Sequence, residues 1–130
     1  MWDDQVQEIK AYWIRPHIRV RIVSKTFKDG LYYYERCLVQ DVISRGVCTL
    51  KTAKGVILDH VDQSFLETVI PELGKQVMIV NPNSKVASFG ELAKLIELDD
   101  RKETALLQLE SNFEMESFCY NDFSEHAENH

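Results

Sequence analysis

Between Ile14 and Ile22 the chain alternates strictly, with Ile14, Pro16, Ile18, Val20 and Ile22 separated by Arg15, His17, Arg19 and Arg21. A period of two turns successive side chains to opposite sides of an extended backbone, so this stretch reads as a half-buried strand. One face enters a core and the other is basic. Pro16 has no N–H to give to a ladder, which puts the start of regular pairing after it.

The strand pattern continues. Lys28-Asp29-Gly30 is a turn signal, because Asp-Gly supplies the positive φ of a tight turn. Leu31 to Ile43 reads as a long strand, Arg45-Gly46 as a turn, Val47 to Thr52 as a strand, Lys54-Gly55 as a turn and Val56 to Leu58 as a short strand. Asp62 to Glu67 suits one helical turn, with Ser64 and Glu67 at capping-box spacing. Leu66 to Ile70 is a closing strand stopped by Pro71. Residues 12–71 therefore hold about five short strands with frequent turns, the pattern of a small closed barrel.

After the junction Pro71-Glu72-Leu73-Gly74 the pattern restarts over residues 72–124. Val77 to Val80 is a strand buried on both faces, and Asn81-Pro82-Asn83-Ser84 a loop. Leu92 to Leu98 pairs with Thr104 to Leu109 around Asp99-Asp100-Arg101-Lys102. Glu114 to Cys119 is a further strand, and Tyr120 to Phe123 a closing turn. Phe89, Phe118 and Phe123, with Phe113, are expected mostly in the core. From Ser124 the sequence is polar and reads as a fraying tail, set at residues 125–130. Residues 1–11 are an amphipathic lead-in with Trp2, Val6 and Ile9 on one side. Each unit of 50–60 residues is marginal alone, so the two are expected to pack together.

Composition excludes several classes. Apolar residues are 45% and charged residues 28%, enough for a packed core. No apolar run approaches the roughly 20 residues of a membrane helix. The first residues, Met1-Trp2-Asp3-Asp4, are acidic where a targeting peptide is basic. Cys37, Cys48 and Cys119 are odd in number and lack Cys-x-x-Cys spacing, which argues for reduced thiols and against a zinc site. The net charge of −6 is uneven. Residues 10–70 carry 10 basic against 6 acidic residues, and residues 71–130 carry 5 against 12. That asymmetry fits two surfaces with different partners, or simply uneven surface decoration.

Trp13-Ile14-Arg15, Ile18-Arg19-Val20-Arg21-Ile22-Val23, Lys28-x-Gly30-x-Tyr32-Tyr33, Asp41-Val42-x-Ser44, Leu66-Glu67-Thr68-Val69-Ile70-Pro71 and Val77-Met78-Ile79-Val80 occur in that order. Together they resemble the C-terminal region of the G-patch and KOW-motif protein family, nuclear spliceosome-associated RNA-binding proteins. Tyr12-Trp13, Asp62-Gln63, the Leu66 to Pro71 run and Gly74-Lys75 also resemble the nuclear DNA/RNA-binding protein Kin family. Either resemblance implies an all-β fold of two tandem SH3-like barrels, the second carrying a KOW element. It also implies a nuclear protein of RNA processing. Asn81-Pro82-Asn83-Ser84 stands where the KOW element has glycines and only Gly90 fits a later one, so the second unit is a degenerate KOW unit. The family's G-patch, expected to engage a DEAH-box helicase, has no counterpart here, so the chain reads as the C-terminal part of a longer protein.

The chemistry is that of a binding surface. Arg15, His17, Arg19 and Arg21 share one strand face, and Lys25, Lys28 and Arg36 extend it. With Tyr32 and Tyr34, which period two puts on one side with Tyr33 opposite, they make a platform of cations and stacking rings for RNA. The sequence holds no nucleophile elbow, P-loop, dinucleotide fingerprint or zinc-protease helix, so no enzyme activity and no cofactor are expected. His126 and His130, four apart, belong to the polar tail and not to a metal clamp. The expectation is a monomeric module with weak, sequence-tolerant contact to single-stranded or structured RNA through the first unit. The second unit then docks onto spliceosomal protein, or onto the first unit. A pure protein-interaction scaffold, and an aromatic-cage reader of methylated side chains, are the competing readings.

Overall fold

A computed structural model describes residues 12–84 and 87–127. The lead-in at 1–11 and His130 lie outside the described residues. The fold is all-β, in two five-stranded antiparallel sheets, with no α-helix among the described residues. The first sheet holds β1 (Arg19–Ile22), β2 (Arg36–Ser44), β3 (Val47–Thr52), β4 (Ile57–Asp62) and β5 (Leu66–Thr68), in the order β4-β3-β2-β1-β5. The second holds β6 (Gln76–Ile79), β7 (Leu92–Asp99), β8 (Thr104–Leu109), β9 (Met115–Cys119) and β10 (Phe123–Glu125), in the order β10-β6-β7-β8-β9.

The two orders are the same topology. In each, four strands form a meander and the fifth returns to pair with the first. A 3₁₀ turn precedes the returning strand in both, at Gln63–Phe65 and at Tyr120–Asp122. The first, third and returning strands correspond at one offset: Arg19 and Gln76, Val47 and Thr104, and Leu66 and Phe123 are each 57 positions apart.

Strict alternation builds both cores. In β3 Cys48, Leu50 and Thr52 turn inward, and in β8 Ala105, Leu107 and Leu109 do the same. Val20, Ile22, Val39, Leu50 and Val61 fill the first core, and Val77, Ile79, Leu95, Leu107 and Phe123 the second. Each such side chain contributes roughly 1.5–3 kcal/mol by leaving water. Met78 and Val80 of the second unit pack into the first core, so the sheets share an apolar seam.

Several expectations are corrected. The strand expected from Ile14 begins at Arg19, because His17 adopts a φ of 75° and Ile18 makes only an isolated bridge, to His126. The strand expected from Leu31 begins at Arg36. Lys28, Asp29 and Gly30 all have positive φ, as does Tyr34, so Leu31 to Tyr34 turn instead of extending. The short strand at Val56 to Leu58 runs instead from Ile57 to Asp62, past a left-handed His60. The 3₁₀ turn after it is capped by Asp62, whose carboxylate accepts the Ser64 N–H at 2.9 Å, while Glu67 lies in β5. Phe113 is 73% exposed, unlike Phe118 and Phe123.

The largest correction is at the tail. Phe123–Glu125 is a strand paired with β6, Ser124 is fully buried, and Ala127 is buried beyond it. The polar residues are there to bond. Ser124 Oγ donates to the Arg19 carbonyl at 2.6 Å and accepts the Val69 N–H at 2.9 Å. Glu125 N–H donates to the Val69 carbonyl and Ala127 N–H to the His17 carbonyl. Thr68 Oγ1 adds a bond to the Tyr120 carbonyl. Buried main-chain groups need such partners, and here the second unit supplies them to the first.

Candidate nucleic-acid interface

The strand β1 alternates as its sequence requires, so Val20 and Ile22 enter the core and Arg19 and Arg21 face outward. Antiparallel register sets Arg21 directly opposite Arg36 of β2 on one side and Glu67 of β5 on the other. Two facing arginines repel, and the repulsion is answered by carboxylates. Glu125 of β10 reaches both flanks, 3.6 Å from Arg19 Nε and 3.2 Å from an Arg36 terminal nitrogen. Glu67 lies 4.0 Å from Arg21.

Beyond β1 the chain turns through Phe27–Gly30, opened by Ser24, whose hydroxyl accepts the Phe27 N–H at 3.0 Å. The left-handed run there, and the left-handed Tyr34, fold the tyrosines back over β1; Tyr34 N–H donates to the Ile22 carbonyl. The Arg21 guanidinium sits 4.6 Å from the Tyr34 ring centroid, and Lys25 Nζ sits 5.4 Å from that of Tyr33. The two rings are 5.6 Å apart and tilted by 40°. Lys28 Nζ lies 5.9 Å from the Phe27 ring, which packs on Phe65. The result is a pair of tyrosine rings flanked by Arg21 and Lys25 beside β1. Arg21 Nε is buried without a hydrogen-bond partner, so the ring face and the terminal nitrogens carry its interactions.

Of the residues read from sequence, Arg19, Arg21 and Arg36 come together on adjacent strands, and Lys25, Lys28 and Tyr34 gather at the turn. Tyr32 is not among them: it turns inward against the first core, while Tyr33 and Tyr34 share the exposed side. That reverses the expected facing, because these residues are not in a strand. Arg15 stands elsewhere, over Phe89 at 5.0 Å and packed against Gly90. His17 is exposed, with its main chain bonded to Val39 and Ala127. Sequence reasoning missed Tyr33, Phe27 and above all Glu125, whose partners Arg19 and Arg36 lie about 90 to 105 positions away.

Other reactive groups are quiet. Burial, then the nearby Glu35 charge, pushes the Cys37 thiol up to about 11. Burial, then Asp62 and Cys37, pushes Cys48 up to about 12. A hydrogen bond to Asp100 raises the Tyr120 phenol to about 12. No group of three or more His, Cys, Asp or Glu suited to a metal occurs among the described residues. No helix among them is long and apolar enough to cross a membrane.

Two sheets of one topology, sealed to each other and carrying their charged chemistry on an open face, define a tandem β module with a surface site. A family model described as the GPKOW C-terminal domain matches residues 18–128, and the chain belongs to that family. It is 40% identical over 99 residues to the G-patch domain and KOW motifs-containing protein of Xenopus laevis, covering 75% of this chain and 20% of that protein. It is 34% identical over 110 residues to Protein MOS2 of Arabidopsis thaliana, covering 84% and 23%. Human DNA/RNA-binding protein KIN17 is 30% identical over 87 residues, covering 60% and 22%. The chain thus spans about a fifth of the length of these relatives.

Proposed function

We propose that the chain is an RNA-binding module of a nuclear pre-mRNA splicing factor, monomeric and without a reaction of its own. In this reading each sheet is a small SH3-like barrel of the KOW type, at residues 12–71 and 72–124. The first contacts RNA weakly and with little sequence preference, and the second docks protein. The observation that carries it is the row Lys25–Tyr33–Tyr34–Arg21. It offers ring faces for bases beside cations for phosphate, which suits an unpaired strand. A relative named as DNA/RNA-binding supports the same ligand class.

A second reading, docking of a protein without RNA contact, is favoured by Glu125. Its carboxylate already neutralises Arg19 and Arg36, which reduces the free positive charge available to phosphate. An aromatic cage needs several rings converging on one pocket, whereas Tyr33 and Tyr34 form a pair.

Fluorescence anisotropy with a labelled single-stranded RNA across a salt series tests the RNA reading. Wild type is expected to lose affinity as salt rises, with a log–log slope of about −0.7 per phosphate contacted. The double variant Lys25→Glu/Lys28→Glu, at two exposed positions of the turn, is expected to lose most binding while keeping its unfolding midpoint. Absence of binding at low salt overturns the RNA reading and leaves protein docking in its place.

A further inference from the structure

Between the two sheets lies a cleft of about 410 Å³. Trp13 and the edge strand β5 form one wall. The loop after β6 and the 3₁₀ turn before β10 form the other. Trp13 is half-buried, and its main-chain N–H donates to Gln63 Oε1 at 3.1 Å, which fixes the residue at the rim. Across from it stand Asn81 and Pro82. Asp122 accepts from Asn81 Nδ2 at 3.0 Å and from the Cys119 N–H at 3.1 Å, so its carboxylate is locked in place. Glu67, 46% exposed in its side chain, also lines the cleft and meets Arg21 only at 4.0 Å.

The chemistry of this lining is one-sided. It carries two carboxylates, carboxamides, an indole and a proline ring, and no Lys or Arg among the described residues. Phosphate is repelled by such a surface. A purely apolar guest leaves the Glu67 carboxylate, met only at 4.0 Å by Arg21, without a close partner. A cation on an apolar stem suits this lining: the stem lies along Pro82, and the head meets Glu67 beside the indole of Trp13. Arginine fits better than lysine, because its planar fork donates to several acceptors while stacking on a ring. The chain's own residues 1–11 match poorly, with Asp3, Asp4 and Glu8 against Lys10.

We propose that this inter-sheet cleft receives an arginine side chain of a partner protein. The inference rests on the docking half of the proposed function and is independent of RNA contact by the tyrosine turn. It also gives the acidic second unit a defined part in recognition, as one wall of the site.

The test is a nuclear magnetic resonance titration of the ¹⁵N-labelled chain with the peptide Ac-Gly-Arg-Gly-NH₂. Its citrulline counterpart, of the same shape without the charge, is the control. Saturable movement of the Trp13 indole N–H and the Asn81 side-chain amide is expected, with the citrulline peptide at least about tenfold weaker. Glu67→Gln, an exposed change that leaves the fold intact, is expected to weaken the arginine peptide severalfold. No movement at millimolar peptide overturns the proposal, as does equal binding of the two peptides. If a short single-stranded RNA moves these signals and the arginine peptide does not, the cleft is a nucleobase site and the proposal is wrong. RNA binding lost with Lys25→Glu/Lys28→Glu, with the peptide titration unchanged, would show that the two sites stand separately.

Discussion

The hydroxyl of Ser124 donates to the carbonyl of Arg19 across 105 positions of sequence, and the same oxygen accepts the N–H of Val69. One buried side chain thus bridges β10, β1 and the segment after β5. Ser124→Ala removes that bridge and strands a buried donor, at a cost of about 1–3 kcal/mol. The urea midpoint is expected to fall accordingly, with the secondary structure of each sheet retained at low urea. An unchanged midpoint would mean that the seam does not depend on this hydroxyl.

Glu125→Gln leaves Arg19 and Arg36 without their carboxylate. Partly exposed ion pairs are worth about 0–1 kcal/mol, so thermal stability is expected to change little. Affinity for single-stranded RNA is expected to rise severalfold, and the salt dependence to steepen, because two cations become free for phosphate. If affinity falls, Glu125 serves to hold the arginines in a binding geometry.

Gly30 tests the turn that presents the tyrosines. Its φ is +78°, and an added Cβ would stand 2.9 Å from the Lys25 carbonyl oxygen. Gly30→Ala is expected to cost about 1–2 kcal/mol and to weaken RNA binding by displacing Tyr33 and Tyr34. Gly55 also has positive φ, but a Cβ there meets nothing within 4 Å. Gly55→Ala is therefore expected to strain the backbone while leaving RNA affinity unchanged, which anisotropy measures directly.

The two buried thiols give a pH signature. Cys37 and Cys48 rise from an ordinary 9.0 to about 11 and about 12. In the unfolded chain they ionise as pH passes about 9, while in the folded chain they stay protonated. Their contribution to stability is thus complete below pH 9 and is lost progressively as pH rises toward 12. Denaturant titrations at rising alkaline pH are expected to show the decline, and Cys37→Ser/Cys48→Ser to flatten it. At pH 8 iodoacetamide is expected to label the exposed Cys119 well before the other two.

Strands with clean alternation were legible residue by residue: β3 and β8 match the periodicity of Val47 to Thr52 and Thr104 to Leu109. The tyrosine turn was not, because β-forming residues at Leu31 to Tyr34 follow a left-handed run that redirects them before pairing begins. Intrinsic preference gave way there to turn geometry. The strand β10 was hidden for the opposite reason. Ser124 and Glu125 look like solvent-exposed residues until their partners, far away in sequence, are known. Arg19 and Arg21 were correctly read as outward-facing, but sequence alone carried no sign that Glu125 would meet Arg19. The basic face was visible from the sequence; its neutralising carboxylate was not.

The fixed offset between the sheets has a consequence in time. During synthesis the first sheet can pair all its strands once Thr68 has emerged, but Arg19 still offers an unanswered carbonyl and Val69 an unanswered N–H. Both wait for Ser124. Until then Arg19 and Arg36 also stand without Glu125, and the nascent chain presents a more cationic surface than the finished protein. A polyanion near the ribosome meets that surface first, and the arrival of β10 brings the carboxylate that lowers its charge.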